Sequence, residues 1–213
     1  RRGVYHTSTK EMPVFVTIHP KNGAECICPT RLAKHIREHL RYFFVQDHAM
    51  NSARCYVYRD GAYRLMSRTM MLGVIKQYIT AYNEHLVKTG TLNEVYELLL
   101  TDNHFVSEDD LNADEDIINF QNGLLRLSDM TLLPHTPDQL STIQLPCDWP
   151  PAPSKTPVYD RYMQTLTRGN EEHLRLLEEF AGVCLSNIKG WRMKKALFMY
   201  GPGDSGKSVL KAL

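Results

Sequence analysis

Apolar residues in this chain recur at two spacings, and each predicts a different kind of element. From Pro29 to Phe44 the apolar positions Leu32, Ile36, Leu40 and Phe43 return every three or four residues, with Arg31, Lys34, Arg37 and Arg41 interleaved at the same interval. That pattern predicts an amphipathic helix whose core face and basic face lie on nearly opposite sides. Met71, Val74, Ile75, Tyr78, Ile79, Tyr82 and Leu86 mark a second helix ending near Gly90. Thr91 with Glu94 offers a capping box for a third, carrying Val95, Leu98 and Leu99. Ahead of these two, Arg54–Arg59 and Ala62–Leu65 flank Asp60-Gly61, a pair that readily takes the positive φ angles of a two-residue hairpin turn. Counting outward from the turn pairs Arg59 with Ala62, Tyr58 with Tyr63, Val57 with Arg64 and Tyr56 with Leu65, so Tyr56, Tyr58 and Tyr63 form an aromatic ladder.

From Asp114 the apolar runs shorten. Ile117–Phe120, Leu124–Leu127 and Thr131–Leu133, separated by Asn122-Gly123 and Ser128-Asp129, predict a small antiparallel meander. Pro146, Pro150, Pro151, Pro153 and Pro157 then forbid helix and make a stiff connector. Beyond it Tyr159–Leu166 reads as helical, and Asn170 caps a helix that turns Leu174, Leu177, Phe180, Ala181, Cys184 and Leu185 inward. Lys195–Tyr200 reads as a buried strand and Val209–Leu213 as the start of a helix. The fold class is α+β: a winged-helix-like module of helices around a hairpin, then the meander, then the first strand and loop of an α/β nucleotide-binding domain. The organisation is a linker over residues 1–26, one domain over 27–155 and the opening of another over 156–213.

Composition changes this picture little. The 213 residues are 43% hydrophobic and 23% charged, which suits a globular protein and excludes a disordered or collagen-like chain. A net charge of +1 provides no global attraction for nucleic acid, so any such binding must come from local patches. Five scattered cysteines and the lack of any apolar run of about 18 residues fit a reduced, cytosolic protein with no membrane partner.

Gly201-Pro202-Gly203-Asp204-Ser205-Gly206-Lys207-Ser208 matches G-x-x-x-x-G-K-[ST], the Walker A phosphate loop. Glycines let successive backbone N–H groups curl around phosphates, Lys207 reaches the β and γ phosphates, and the Ser208 hydroxyl holds Mg²⁺. The helix that begins there adds the positive end of its dipole. ATP and Mg²⁺ are the cofactors this loop calls for, with Lys207 as its catalytic residue. Asp204, beside a polyanion, is expected to face solvent. The chain starts at Arg1 and stops five residues after this loop, so it reads as an internal piece of a longer protein.

Several segments together resemble the phage, plasmid and poxvirus primase–helicase family. They are Pro29-Thr30-Arg31-Leu32-Ala33, the Tyr58–Tyr63 hairpin, Asn119-Phe120-Gln121-Asn122-Gly123-Leu124-Leu125, Pro134-His135-Thr136-Pro137, Leu145–Ala152 and the phosphate loop, spanning about Cys28 to Leu213. Where this chain has Ser205, family members often carry Asn. The resemblance implies a replication protein of a phage or mobile element in a bacterial host cytoplasm. It also implies a ring, a hexamer, that uses ATP to unwind single-stranded or forked DNA, fused to an upstream primase. The acidic strand, polar sensor and arginine finger that phosphoryl transfer needs are not in this stretch, so the fragment alone is expected to be inactive. Two other readings stand beside it: a winged-helix DNA-binding or oligomerisation module with a vestigial loop, and an unrelated phosphate-loop kinase or AAA-type ATPase.

The lesser signals divide between chemistry and scaffolding. Arg31, Lys34, Arg37 and Arg41, with Arg59 at the hairpin tip, form a candidate contact to DNA phosphates, weighed against a solvated helix face. Tyr56, Tyr58 and Tyr63 are more readily a packed ladder than base-stacking platforms. Cys26 and Cys28 with His35 and His39 suggest zinc, but the spacing does not match a finger and surface histidines are the better reading. Glu108, Asp109, Asp110, Asp114, Glu115 and Asp116 read as a solvated loop rather than a metal or acid–base cluster.

Overall fold

The computed structural model describes residues 11–47, 52–101 and 105–212. It is α+β and divides into two compact units, one ending at Leu111 and the other starting at Asn112. The proline-rich connector lies inside the second. Among the described residues no helix is long and apolar enough to cross a membrane.

In the first unit β1 (Val16–Ile18) pairs antiparallel with β2 (Glu25–Ile27) and leads into α1 (Pro29–His39). Pro29 occupies the first turn of α1, where its missing N–H costs no hydrogen bond. Leu32, Ala33 and Ile36 bury one stripe, as their spacing predicts. The helix then stops short of its predicted end. Leu40 is extended, and Tyr42–Asp47 forms β3, so Arg41 and Phe43 leave the helix. Tyr42, Phe43, Phe44 and Val45 are all buried, and a strand covered on both faces shows no alternation to separate it from helix.

Strands β3, β4 (Ser52–Arg59) and β5 (Ala62–Met66) form an antiparallel sheet in that order. The β4–β5 register is the one counted from the turn, Arg59↔Ala62 through Tyr56↔Leu65. Asp60 and Gly61 both take positive φ, as a type I′ turn requires. The helices therefore surround a three-stranded sheet in which the expected hairpin, β4–β5, gains β3 as a third strand.

α2 (Arg68–Thr80) is capped by the Ser67 hydroxyl, which accepts from Met70 N–H at 3.2 Å, and buries Met71, Val74, Ile75 and Ile79. It ends earlier than its apolar pattern because Asn83 caps a new short turn, Glu84–Leu86, by accepting from His85 N–H at 3.0 Å. Leu86 thus packs from a turn. α3 (Thr89–Thr101) starts ahead of the predicted capping box and places Gly90 in its first turn. One core joins the three helices to Tyr42, Phe44, Cys55, Val57 and Met66 of the sheet.

The second unit opens with β6 (Ile117–Phe120), β7 (Gly123–Arg126) and β8 (Thr131–Leu133), an antiparallel meander as the sequence predicts. The turn is Gln121-Asn122, and Gly123 is the first residue of β7 opposite Phe120. Asn119 is buried and anchors the chain beyond the meander. Its Nδ2 donates to Ser141 Oγ at 3.0 Å, and its Oδ1 accepts from His135 Nε2 at 3.1 Å and from Gln144 Nε2 at 3.4 Å. His135 Nε2 also donates to the Phe120 carbonyl at 2.9 Å. Asn122 and Trp149 exchange side-chain and backbone bonds, both at 2.9 Å. Asn112 clamps Thr142 in the same manner, accepting from its N–H at 2.9 Å and donating to its hydroxyl at 2.8 Å.

These bonds explain how a segment without helix or strand, Pro134 to Thr156, lies fixed on a three-stranded sheet whose own bonds are too few to order it. Replacing Asn119 by Ala removes the group that joins Ser141, His135 and Gln144, leaving Ser141 its bond to the Ile143 carbonyl and His135 its bond to the Phe120 carbonyl. We expect a loss of about 2 kcal/mol in the second unit's stability, read as a lower urea midpoint at unchanged slope.

Pro157 opens α4 (Pro157–Thr167) from the first turn, and α5 (Glu171–Leu185) is capped by Asn170, whose side chain accepts from His173 N–H at 3.0 Å. The expected inward face of α5 is only partly realised: Leu174, Leu177 and Phe180 are half-buried, whereas Ala181, Cys184 and Leu185 are exposed. After α5, Asn187 donates to the carbonyls of Asp114 and Ile117 at 2.9 and 2.8 Å, tying this end to β6. α6 (Gly190–Met193) comes next, and the last element is α7 (Lys207–Ala212). The strand expected over Lys195–Tyr200 does not form. No described strand pairs with it, and Phe198 is 90% exposed, because an apolar strand gains its stability only from neighbours across a sheet.

Candidate functional site

The glycine-bracketed loop runs from Gly201 to the first residue of α7. Asp204 (φ +56°) and Gly206 (φ +86°) take the left-handed conformation and turn the chain back on itself. Lys207 closes the ring so made. Its Nζ donates to the carbonyls of Gly201 at 3.0 Å and Pro202 at 2.7 Å and to Ser205 Oγ at 2.8 Å. Three donors on one ammonium meet three acceptors from one loop. Ser208 is exposed on the first turn of α7, and Asp204 faces solvent as its charge predicts. Gly203 has open space at its Cβ position, while Gly201 lies at ordinary contact distance from Ser205 and Lys207.

Nothing in the residue pattern points to what supports this loop. Tyr162 of α4 donates its hydroxyl proton to the Gly206 carbonyl at 2.9 Å. A Cβ at Gly206 would sit 3.4 Å from the Tyr162 ring and 3.6 Å from Leu166, so α4 packs directly on the loop's last glycine. Between the loop and the α4–α5 corner lies a cavity of about 880 Å³, with Tyr162, Leu166, Arg168, Asn170 and His173 on one side and Tyr200–Pro202 and Asp204–Gly206 on the other. Forty-four residues separate Tyr162 from Gly206, and no local pattern reports such a contact. Tyr162→Phe removes one hydrogen bond and keeps the ring. We expect faster hydrogen exchange at the loop amides, from a local destabilisation of about 1 kcal/mol, with α4 unchanged.

The candidate DNA-contacting bases do not form one stripe. Arg31 and Lys34 are exposed on α1, Lys34 lies 4.0 Å from Glu38, and Arg37 is half-buried. Arg41 sits beyond the helix, where its carbonyl accepts from Tyr58 N–H at 2.9 Å. That places it beside Arg59, at the turn end of the β4–β5 hairpin. The basic residues thus divide into a helical pair and a hairpin-end pair, because the chain switches from helix to strand at Leu40. Tyr56 and Tyr63 are buried and packed with Phe43 at ring separations of 5.3 and 4.6 Å, which leaves them no free face for a base.

The other clusters also take structural roles. Glu108 pairs with Arg54 at 2.8 Å, Glu115 with Arg192, and Asp116 accepts from Ser128 N–H and hydroxyl at 2.8 and 2.7 Å. All five cysteines are free thiols. Burial pushes the Cys55 thiol up to about 12, which makes it inert. The Cys26 thiol bonds Thr17 and that of Cys28 bonds Thr30, and among the described residues neither joins His35 and His39 in a ligand set.

No curated protein matches the chain. A family model, D5 N terminal like, matches residues 30–168, so the hairpin, the meander with its Asn119–His135 network, the connector and α4 all lie within the matched span. With well over half its length so covered, the chain belongs to the D5 N-terminal-like family, the N-terminal domain of D5-like primase–helicase proteins of phages and viruses.

Proposed function

We propose that this chain is the part of a replicative DNA helicase, of superfamily 3 type, that joins the D5 N-terminal-like domain to the nucleotide-binding loop of the motor. The observation that carries the reading is the Lys207 ammonium held by Gly201, Pro202 and Ser205 of its own loop. A plain glycine turn with no ligand would have no use for a cation folded into its centre. A triphosphate supplies oxygens better than the two carbonyls and the hydroxyl that Lys207 now contacts, and Lys207 exchanges them for the β and γ phosphates. Asp204 and Gly206 turn the chain there, and backbone N–H groups of Gly203 to Lys207 would be the donors to the phosphates.

Ser208 would hold Mg²⁺, which when bound would spread the charge of the β and γ phosphates. Its hydroxyl is exposed one residue past Lys207, and an oxygen donor is the type that Mg²⁺ takes. The residues present therefore fit the ion. Hydrolysis draws further on an acidic, a sensor and an arginine group supplied elsewhere in the ring, a hexamer. DNA is the partner, reached by Arg31 and Lys34 of α1 and by Arg41 and Arg59 at the hairpin end, all contacting phosphates without reading bases. The primase would lie upstream.

The test is titration of the chain with a fluorescent ATP analogue in the presence and absence of Mg²⁺. Saturable binding that competes with ATP supports the reading, and no binding at millimolar analogue refutes it.

A further inference from the structure

We propose that His35, Glu38 and His39 on the exposed side of α1 form a zinc site. The ligand atoms of all three lie within 4.8 Å of one another. Positions i, i+3 and i+4 of a helix share a face, so the backbone alone brings two imidazoles and a carboxylate together. Two histidines, one glutamate and an open fourth position are a donor set that zinc takes in tetrahedral geometry.

A tetrahedron with bonds near 2.1 Å needs ligand atoms about 3.4 Å apart, so the three groups, now within 4.8 Å of one another, must close in to take the ion. The exposed Glu38 side chain is the one that rotates in toward the two imidazoles. Imidazole selects zinc, copper or nickel over magnesium and calcium, which want oxygen alone.

A second feature prepares the site. His39 Nδ1 donates to the His35 carbonyl at 2.8 Å. A carbonyl only accepts, so that bond fixes the proton on Nδ1 and leaves the Nε2 lone pair free. Anchoring one ring nitrogen on a backbone carbonyl is how metal-binding histidines are oriented. The His35 ring is held between Phe15, at 5.3 Å, and Tyr78, edge-on at 5.7 Å, while the two imidazoles lie 4.1 Å apart.

Two cations oppose the ion. Arg31 and Lys34 border the same surface with His35 and Glu38, and Lys34 lies 4.0 Å from the Glu38 carboxylate. Both groups of that pair are exposed, so the contact contributes little and yields to a bound metal. The site lies in the first unit, and it stands or falls independently of the reading of the Lys207 loop.

The experiment titrates the full chain with zinc chloride against a chromophoric zinc chelator, alongside His39→Ala, Glu38→Gln and His85→Ala. One equivalent bound with micromolar affinity is expected, weakened at least about tenfold in His39→Ala, weakened less in Glu38→Gln and unchanged in His85→Ala. Circular dichroism of His39→Ala checks that α1 is intact. Should that helix be lost, His39→Gln takes its place. Cobalt substitution then reports the ligand type, and visible bands without a thiolate-to-metal charge-transfer band are expected. No saturable binding, affinity unchanged by His39→Ala, or a thiolate band showing that Cys26 or Cys28 ligates would each overturn the proposal.

Discussion

Lys207→Ala is expected to reduce the affinity of the chain for Mg·ATP by about a hundredfold or more while leaving its thermal transition nearly in place. Two charge-assisted hydrogen bonds to phosphate are worth about 1.5–3 kcal/mol each, and each 1.4 kcal/mol is about a factor of ten in affinity. The alanine cannot be compensated by neighbours, since among the loop residues Gly201 to Ser208 Lys207 is the one cation. The folded chain loses far less. Lys207 now donates to Gly201 and Pro202 carbonyls and to Ser205, on a loop that is half-exposed or exposed, so water replaces it as donor.

Lys207→Arg refines the test. A guanidinium is a planar fork, and three acceptors gathered round a point do not match it, so arginine is expected to retain charge without restoring full affinity. The measurement is the same analogue titration, with far-UV circular dichroism and a thermal melt on each variant. Equal affinity for wild type and Lys207→Ala would sink the nucleotide reading. Loss of fold in Lys207→Ala would shift the weight onto the arginine variant, whose stem and charge are kept.

How much of this could be read from residues alone depended on distance along the chain. The β4–β5 register was legible because Asp60-Gly61 admits one tight turn, and the turn then dictates every pair out to Tyr56 and Leu65. The meander was legible for the same local reason. β3 was not, because Tyr42-Phe43-Phe44-Val45 is buried on both faces and continues the apolar spacing of α1 through Leu40. The basic stripe breaks at the same point: Arg41 fits the helical interval yet lies on the strand side of the break. At the candidate loop the eight motif residues were visible at once, whereas the support from Tyr162 and the α4–α5 corner exists only in the tertiary structure. The Asn119, His135 and Trp149 segments resemble family signatures, but nothing in their residue pattern announces a role. In the structure they hold an irregular connector against a small sheet, a task for hydrogen-bonding side chains at fixed but widely separated positions.

Gly123→Ala is expected to destabilise the second unit by about 3 kcal/mol, the sum of a backbone strain and an overpacking cost. A Cβ built on Gly123 would lie 2.5 Å from the Leu133 carbonyl oxygen and 3.0 Å from two atoms of the Leu132 side chain. The leucine side chain can rotate away. The carbonyl cannot, since it belongs to β8, whose register against β7 is set by Leu124↔Leu133, Leu125↔Leu132 and Arg126↔Thr131. Relief therefore requires the β7–β8 pair to part at its end. Gly123 also has φ near +157°, which side-chain-bearing residues rarely adopt, and strain of that kind adds about 1–3 kcal/mol to an overpacking cost of similar size. The damage should spread. Gly123 is next to Asn122, which is bonded to Trp149, and faces Phe120, whose ring lies 5.4 Å from the Trp149 ring and whose carbonyl holds His135. Trp149 fluorescence, with Trp191 replaced by Phe so that a single indole reports, should show an earlier urea midpoint and a red-shifted, more exposed indole before global unfolding. By contrast Gly203→Ala, with open space at its Cβ, should leave both readings where they are. An unshifted midpoint for Gly123→Ala would mean that β8 can move aside at no cost, and that the connector is held by its own hydrogen bonds and does not depend on the meander's edge.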